Sequence, residues 1–321
     1  MHRSYLELGP FDLLLVRGPD SRRFLQGQVS CDMNLLSPDL SLSGALCNIK
    51  GRVITDFLAF DQGGDCCLAL TPGMGQVMQS VLSKYIVFFK ASVESADDRY
   101  RRFGLLGNDA HHVLSTVLGR CPMSDYGTVS EDGIVVIKLP GLIPRFEIWI
   151  DRQAVSGRAE SLLDAMKTQC APGTDTSWQV EAFNAGIVHI RREMSEQYLP
   201  QELNYDISGV INFKKGCYTG QEIVARMYYR GTAKKRLFHL RCESTLQPQP
   251  LHVYQQADEN TPAPTGLPVV NSLVTDNGET HLMAILPVET VNGGGKFFAD
   301  AAARETPLEV LPLPYIGRDR D

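Results

Sequence analysis

Short apolar runs broken by turn residues set the pattern over the first two thirds of the chain. Leu13-Leu14-Leu15-Val16 reads as a strand running into Gly18-Pro19-Asp20, where proline suits a first helical turn and aspartate complements the helix dipole. A short helix over 21–26 is predicted next, stopped by Gly27. Strand-like runs recur at 43–48, 53–60, 66–71, 86–93, 134–139 and 145–150, with helical periodicity at 75–84, 109–118, 153–170 and 178–185. Strands and helices mixed without strict alternation predict an α+β fold rather than a doubly wound sheet. After Arg236 the pattern becomes strands only, at 237–242, 266–276, 281–287 and 308–311, in loops rich in Pro, Gly and Asn. That predicts a separate small β-barrel. Gly293-Gly294-Gly295 lacks the Lys-Ser/Thr and helix of a phosphate loop and reads as a hairpin turn.

Composition narrows the class. A chain of 321 residues with 43% hydrophobic and 21% charged content is an ordinary globular protein, long enough for two or three domains. No export signal or membrane span is evident in the sequence, which predicts a cytoplasmic protein with no membrane partner. Eight scattered cysteines without a C-x-x-C pair fit a reducing compartment and exclude the common zinc and thioredoxin-like motifs; Cys66-Cys67 reads as part of a buried strand. With a formal charge of −6, any nucleic-acid contact has to come from a local patch.

Such a patch surrounds the most chemically concentrated segment, Phe213-Lys214-Lys215-Gly216-Cys217-Tyr218-Thr219-Gly220-Gln221-Glu222. Thr219 and Glu222 have capping-box spacing, which puts Cys217 beside a helix N-terminus. The helix dipole and the two lysines then favour its thiolate. A single cysteine also suits a small buried apolar position, so the two readings stand side by side. Lys214, Lys215, Arg226, Arg230, Lys234, Lys235, Arg236 and Arg241 are opposed by Glu222 alone, and Tyr218, Tyr228 and Tyr229 are interleaved among them. Cations beside rings suit a ligand with a flat heterocycle and carboxylates, and they suit RNA; a solvated helix face is the plain alternative. His111, His112 and His189 have no Ser or Cys partner at a useful spacing and read as surface or packing residues. No metal site is predicted: Cys217 alone leaves most coordination positions empty, and only transient contact with a cluster shared with a partner stays open.

The run from Lys214 to Arg226, Lys-Lys-Gly-Cys-Tyr-Thr-Gly-Gln-Glu-Ile-Val-Ala-Arg, resembles the signature of the YgfZ family, itself similar to the aminomethyltransferase (T-protein) of the glycine cleavage system. Gly18-Pro19-Asp20 through Gln28-Val29, Lys50-Gly51-Arg52, Lys84 through Phe88, Pro200 through Asn204, and Leu311 through Tyr315 agree with it. The resemblance implies two intertwined α+β domains over 1–232 and a C-terminal β-barrel over 233–321, arranged as a ring around a central folate-binding cavity. It implies a tetrahydrofolate-binding accessory protein that supports assembly or repair of iron-sulfur enzymes, such as the tRNA methylthiotransferase, and thereby tRNA modification. Cys217 is then the reactive group, with Lys215 lowering its pKa. Phe11 and Trp178 fall where the family carries aromatic folate contacts, the first commonly tryptophan. Arg226 and Arg230 are candidates for holding folate carboxylates or a partner, and Tyr218 is a further folate-binding candidate. Asn184 stands where the aminomethyltransferases carry a pterin-binding glutamate, and Thr55-Asp56 keeps half of their aspartate pair. Both replacements weigh against a folate-dependent one-carbon transferase. Direct tRNA contact through the basic segment is the other competing reading.

Overall fold

The structure is a computed structural model, described over residues 3–154, 157–246, 252–255, 266–299 and 306–315. The chain begins with strands β1 (Ser4–Glu7) and β2 (Asp12–Arg17), helix α1 (Ser21–Gln26), and strands β3 (Leu42–Cys47), β4 (Val53–Gln62) and β5 (Asp65–Leu70). Next come α2 (Gly75–Leu82), β6 (Ser92–Ser95), β7 (Tyr100–Leu106), α3 (Ala110–Leu118), β8 (Thr128–Glu131), β9 (Ile134–Leu139) and β10 (Arg145–Asp151). Helix α4 (Gly157–Gln169), the two-residue β11 (Ala171–Pro172), α5 (Asp175–Asn184) and α6 (Gln221–Arg230) follow. The last part holds β12 (Lys235–Cys242), β13 (His252–Gln255), β14 (Leu267–Val274), β15 (Thr280–Pro287), α7 (Val288–Asn292), β16 (Phe297–Phe298) and β17 (Pro307–Leu311).

Three sheets result. One has six strands in the order β11-β1-β7-β10-β9-β8, one has five in the order β3-β4-β5-β2-β6, and β12-β15-β14-β13-β16-β17 close a barrel. The consecutive strands β1 and β2 enter different sheets, so the chain interleaves the two from its first turn.

The apolar runs are continuous because the strands are buried on both faces. Leu13 and Leu15 of β2 meet Phe60, Tyr100, Val135, Ile137 and Trp149 in the layer between the two open sheets. Leu14 and Val16 point the other way, into a core that includes α1, α2 and the barrel residues Leu237, Val270, Met283 and Ile285. Each such side chain is worth roughly 1.5–3 kcal/mol when fully buried. Helices α3 and α4 cover the far face of the six-stranded sheet. Tyr315 closes the centre: its hydroxyl donates to the Gly186 carbonyl at 3.0 Å and receives the Asn204 amide at 3.4 Å.

The predicted α+β class and the C-terminal barrel are present, and Cys66 and Cys67 lie in a buried strand. The expected strand over 86–93 is instead a 3-10 turn at Ile86–Phe88 followed by the short β6, and Val87 and Phe88 are exposed. Strand β7 went unseen because Arg101 and Arg102 break its pattern. Arg101 pairs with Glu7 at 2.9 Å, whereas the Arg102 guanidinium lies over the Phe11 ring. The barrel segment is not strands only, since α7 interrupts it. Gly293 terminates that helix and Gly294 adopts φ 75°, so the glycine run is a helix exit rather than a hairpin.

Candidate functional site

Phe11 directly precedes β2, and Trp178 lies in the first turn of α5. Thr174 caps that helix, its hydroxyl accepting the Ser177 amide at 3.1 Å, while the Ser177 hydroxyl receives the Thr174 amide. Both rings are half-buried against the layer between the open sheets. Phe11 meets Trp149 edge-on at 4.7 Å. The Arg102 guanidinium sits 5.1 Å from the Phe11 centroid, and that of Arg145 5.0 Å from Trp178. Such cation–π contacts are worth about 0.5–2 kcal/mol. Trp178 lies so close to Gly104 that a Cβ there would be 2.7 Å from its ring.

Arg145 is the unusual group. It is 2% exposed, its Nε has no hydrogen-bond partner among the described residues, and Nη1 donates to the Trp178 carbonyl at 3.4 Å. Burial pulls its pKa down to about 10, against the opposing charges of Glu147, Tyr126 and Glu181. Glu181 accepts the Leu142 and Ile143 amides at 3.0 and 3.2 Å, and its other oxygen accepts the Asn184 side-chain amide at 3.1 Å. Asn184 is therefore oriented by Glu181, one turn earlier on α5. Nearby, Asp56 of β4 holds His189, whose side chain is 62% exposed, through Nδ1 at 2.7 Å. His189 is thus a surface group, as expected, but one whose ring a buried carboxylate fixes. Arg145 and His189 were missed from sequence. The available signal was a chain of charged positions, Arg145, Glu147 and Asp151, within an otherwise apolar strand.

The cysteine loop is built separately. Lys215 is 8% exposed and its ammonium donates to the carbonyls of Gln26, Val29 and Cys31 at 2.8, 2.5 and 2.8 Å. All three of its protons are taken, so it anchors the loop to the segment after α1. Its expected part in activating Cys217 gives way to this anchoring role. Burial lowers its pKa to about 8. Tyr218 is buried under it, with Nζ 5.1 Å from the ring centroid. The capping box does not form: Gly220, at φ 83°, is the N-cap of α6, and no side chain caps the helix. A Cβ at Gly220 would stand 2.3 Å from the Asn48 carbonyl oxygen, so the backbones approach closely there. Cys217 is exposed, whereas six of the other seven cysteines are buried and Cys121 is intermediate. Arg226 and Arg230 are exposed on α6.

The predicted residues thus form two groups. Phe11, Trp178 and Asn184 gather with Arg145 between the sheets and α5, and Cys217, Lys215, Tyr218, Arg226 and Arg230 occupy the loop and α6. No hydrogen bond, ion pair or ring contact among the described residues joins the groups. Two surface hollows of about 530 and 390 Å³ lie along β1, β7 and the α3–α4 layer, and neither includes these residues. Among the described residues no three His, Cys, Asp or Glu side chains are grouped to hold a metal, and no helix is long and apolar enough to cross a membrane.

The architecture matches the crystal structure of glycine cleavage system aminomethyltransferase T from Bartonella henselae, with a TM-score of 0.75 over 98% of this chain and 86% of that one, at 16% identity. The fold is therefore aminomethyltransferase-like. No family model matches the sequence. The tRNA-modifying protein YgfZ of Pectobacterium carotovorum subsp. carotovorum is 28% identical over 314 residues, 97% of this chain and 91% of the relative. That of Klebsiella pneumoniae is 30% identical over 237 residues, 74% of this chain and 71% of the relative. The chain belongs to the YgfZ family.

Proposed function

We propose that this protein acts in tRNA modification as a folate-binding accessory factor that supports iron-sulfur enzymes, with the Cys217 thiol as its reactive group. The observation that carries this reading is similarity to tRNA-modifying YgfZ proteins along nearly the whole chain, on an aminomethyltransferase-like fold. The residues present fit a folate. Two half-open rings, Phe11 and Trp178, offer faces to a flat heterocycle, and the buried Arg145 guanidinium has an unpartnered Nε–H for a carbonyl or carboxylate oxygen. Asn184 offers an amide in place of a carboxylate, which can recognise a pterin edge but cannot take a proton. When bound, folate would supply a one-carbon acceptor or a structural effector. Cys217, open on its loop, is available to a damaged sulfur species or to a partner's cluster.

The test is a tetrahydrofolate titration read by tryptophan fluorescence. The two tryptophans are Trp149 and Trp178, and Trp149 is fully buried, so a binding signal should disappear in Trp178→Phe. Cys217→Ala should keep the titration and lose support of cluster-dependent tRNA methylthiolation in cells. Full activity of that variant would sink the thiol role, and a flat titration of the wild type would sink the folate role.

A further inference from the structure

The eight bases concentrated between Lys214 and Arg241 divide once the structure is known. Lys215 is consumed by three carbonyls, Arg236 pairs with buried Asp206 at 2.8 Å, and Arg241 pairs with Glu309 at 2.6 Å. The other five, Lys214, Arg226, Arg230, Lys234 and Lys235, are all exposed, and none has a carboxylate within ion-pair distance among the described residues. An ordinary solvated surface mixes its charges. Here the protein as a whole is acidic, at −6, yet between Lys214 and Arg241 Glu222 alone stands among these cations.

Rings are fixed among them. Phe213, at the start of the cysteine loop, stacks on Tyr228 of α6 at 3.7 Å and 16°. Tyr229 stands nearly perpendicular to both, at 6.1 Å and 75° from Phe213 and at 5.0 Å and 87° from Tyr228, and it is 68% exposed. A large ring held upright in water by two neighbours has little rotamer freedom left to lose on binding. Arg226 and Arg230 flank it, four residues apart and so one turn apart on the same helix face. The loop that folds back along this helix also carries the exposed Cys217.

We infer that the outer face of α6, with the loop before it and the lysines after it, is an RNA-docking surface: Tyr229 stacks on an unpaired base and the five cations contact phosphates. An acidic peptide would satisfy the cations but leave the ring without a planar partner, whereas every nucleobase has a face for it. The choice of RNA over another polyanion rests on the tRNA-modification reading above; the surface itself stands on charge and ring geometry. A bound RNA would lie across the loop that presents Cys217.

The experiment is fluorescence anisotropy of a labelled tRNA transcript with the full-length protein at increasing KCl, alongside tetrahydrofolate titrations and thermal melts of every variant. The wild type should bind, with affinity falling steeply with salt. Arg226→Gln with Arg230→Gln should weaken binding by about tenfold and lower the salt slope by about one to two. Tyr229→Ala should weaken it by about tenfold as well, with Tyr229→Trp restoring it. All variants should melt as the wild type does. Absence of RNA binding by the wild type overturns the inference, as does unchanged binding by normally folded variants, or tighter binding of a polyglutamate peptide than of RNA. RNA binding that survives while tetrahydrofolate fails to bind supports this surface and removes the folate role; the reverse pattern removes this surface alone.

Discussion

The Nδ1 atom of His189 lies 2.7 Å from one oxygen of Asp56, whose other oxygen accepts the Ile190 amide proton at 2.7 Å. The two contacts lock a buried carboxylate of β4 onto the segment following α5, 133 residues further along the chain. Desolvation by the surrounding protein works against the charged imidazole even though its side chain is 62% exposed, but the charge and hydrogen bond of Asp56 outweigh it. Glu147 adds to the rise and Arg145 opposes it, so the His189 pKa is held above its ordinary value. The contribution to stability is complete below the unfolded pKa and is lost as pH rises through the folded one. Urea denaturation at about pH 5.5 and about pH 9 should show the wild type losing its advantage over His189→Gln at the higher pH. A constant difference between the two proteins would refute the coupling.

The barrel histidines should behave oppositely. His239 and His281 sit on the adjacent strands β12 and β15 with ring nitrogens 2.8 Å apart, beside Phe183 of α5. Burial, and then the neighbouring ring, push the His239 pKa down to about 3. Its neutral form therefore stabilises the fold above the unfolded value, and that stability drains away as pH falls. Circular dichroism under acid titration should show His239→Phe unfolding at lower pH than the wild type.

Lys215→Met leaves three carbonyls without their donor, at a cost on the order of 2–4 kcal/mol. Cys217→Ala, on the same loop but exposed, should change stability by less than about 0.5 kcal/mol. Differential scanning calorimetry of the two variants separates the anchor from the thiol, and equal melting temperatures would show that Lys215 is dispensable.

Alkylation should find one fast thiol. Burial pushes Cys31, Cys47 and Cys67 up to about 12 and Cys66 and Cys121 to about 11, so these stay protonated. Mass spectrometry after brief iodoacetamide treatment should place the first label on Cys217. Equal early labelling of any buried cysteine would contradict the described packing.

Gly104→Ala should disturb the proposed folate face without touching ligand. The new methyl group would press on the Trp178 ring and on Leu6, at 2.7 and 3.0 Å, so the indole has to shift. Intrinsic fluorescence should change before any ligand is added, and tetrahydrofolate should bind about tenfold or more weakly. An unaltered titration would mean that Trp178 does not frame the ligand.

Strands such as β2, β9 and β10 were legible because short, nearly continuous apolar runs report burial on both faces whichever sheet they join. What remained hidden depended on direction. Lys215 is adjacent to Cys217 in sequence, which suggested electrostatic coupling, but the loop turns the lysine inward to three carbonyls and the cysteine outward. The Thr219–Glu222 spacing matched a cap, yet the left-handed Gly220 took that position. His189 read as isolated because its partner lies on a strand far away in sequence.

Tyr315 has a consequence for the order of events during synthesis. Its hydroxyl completes the hydrogen bonds of Gly186 and Asn204, residues made well over a hundred positions earlier. While Tyr315 is still inside the ribosome, the Gly186 carbonyl lacks the hydroxyl partner it has in the folded protein. The nascent protein therefore cannot finish its centre as it emerges, and the segment after β17 sets the moment at which the fold is sealed.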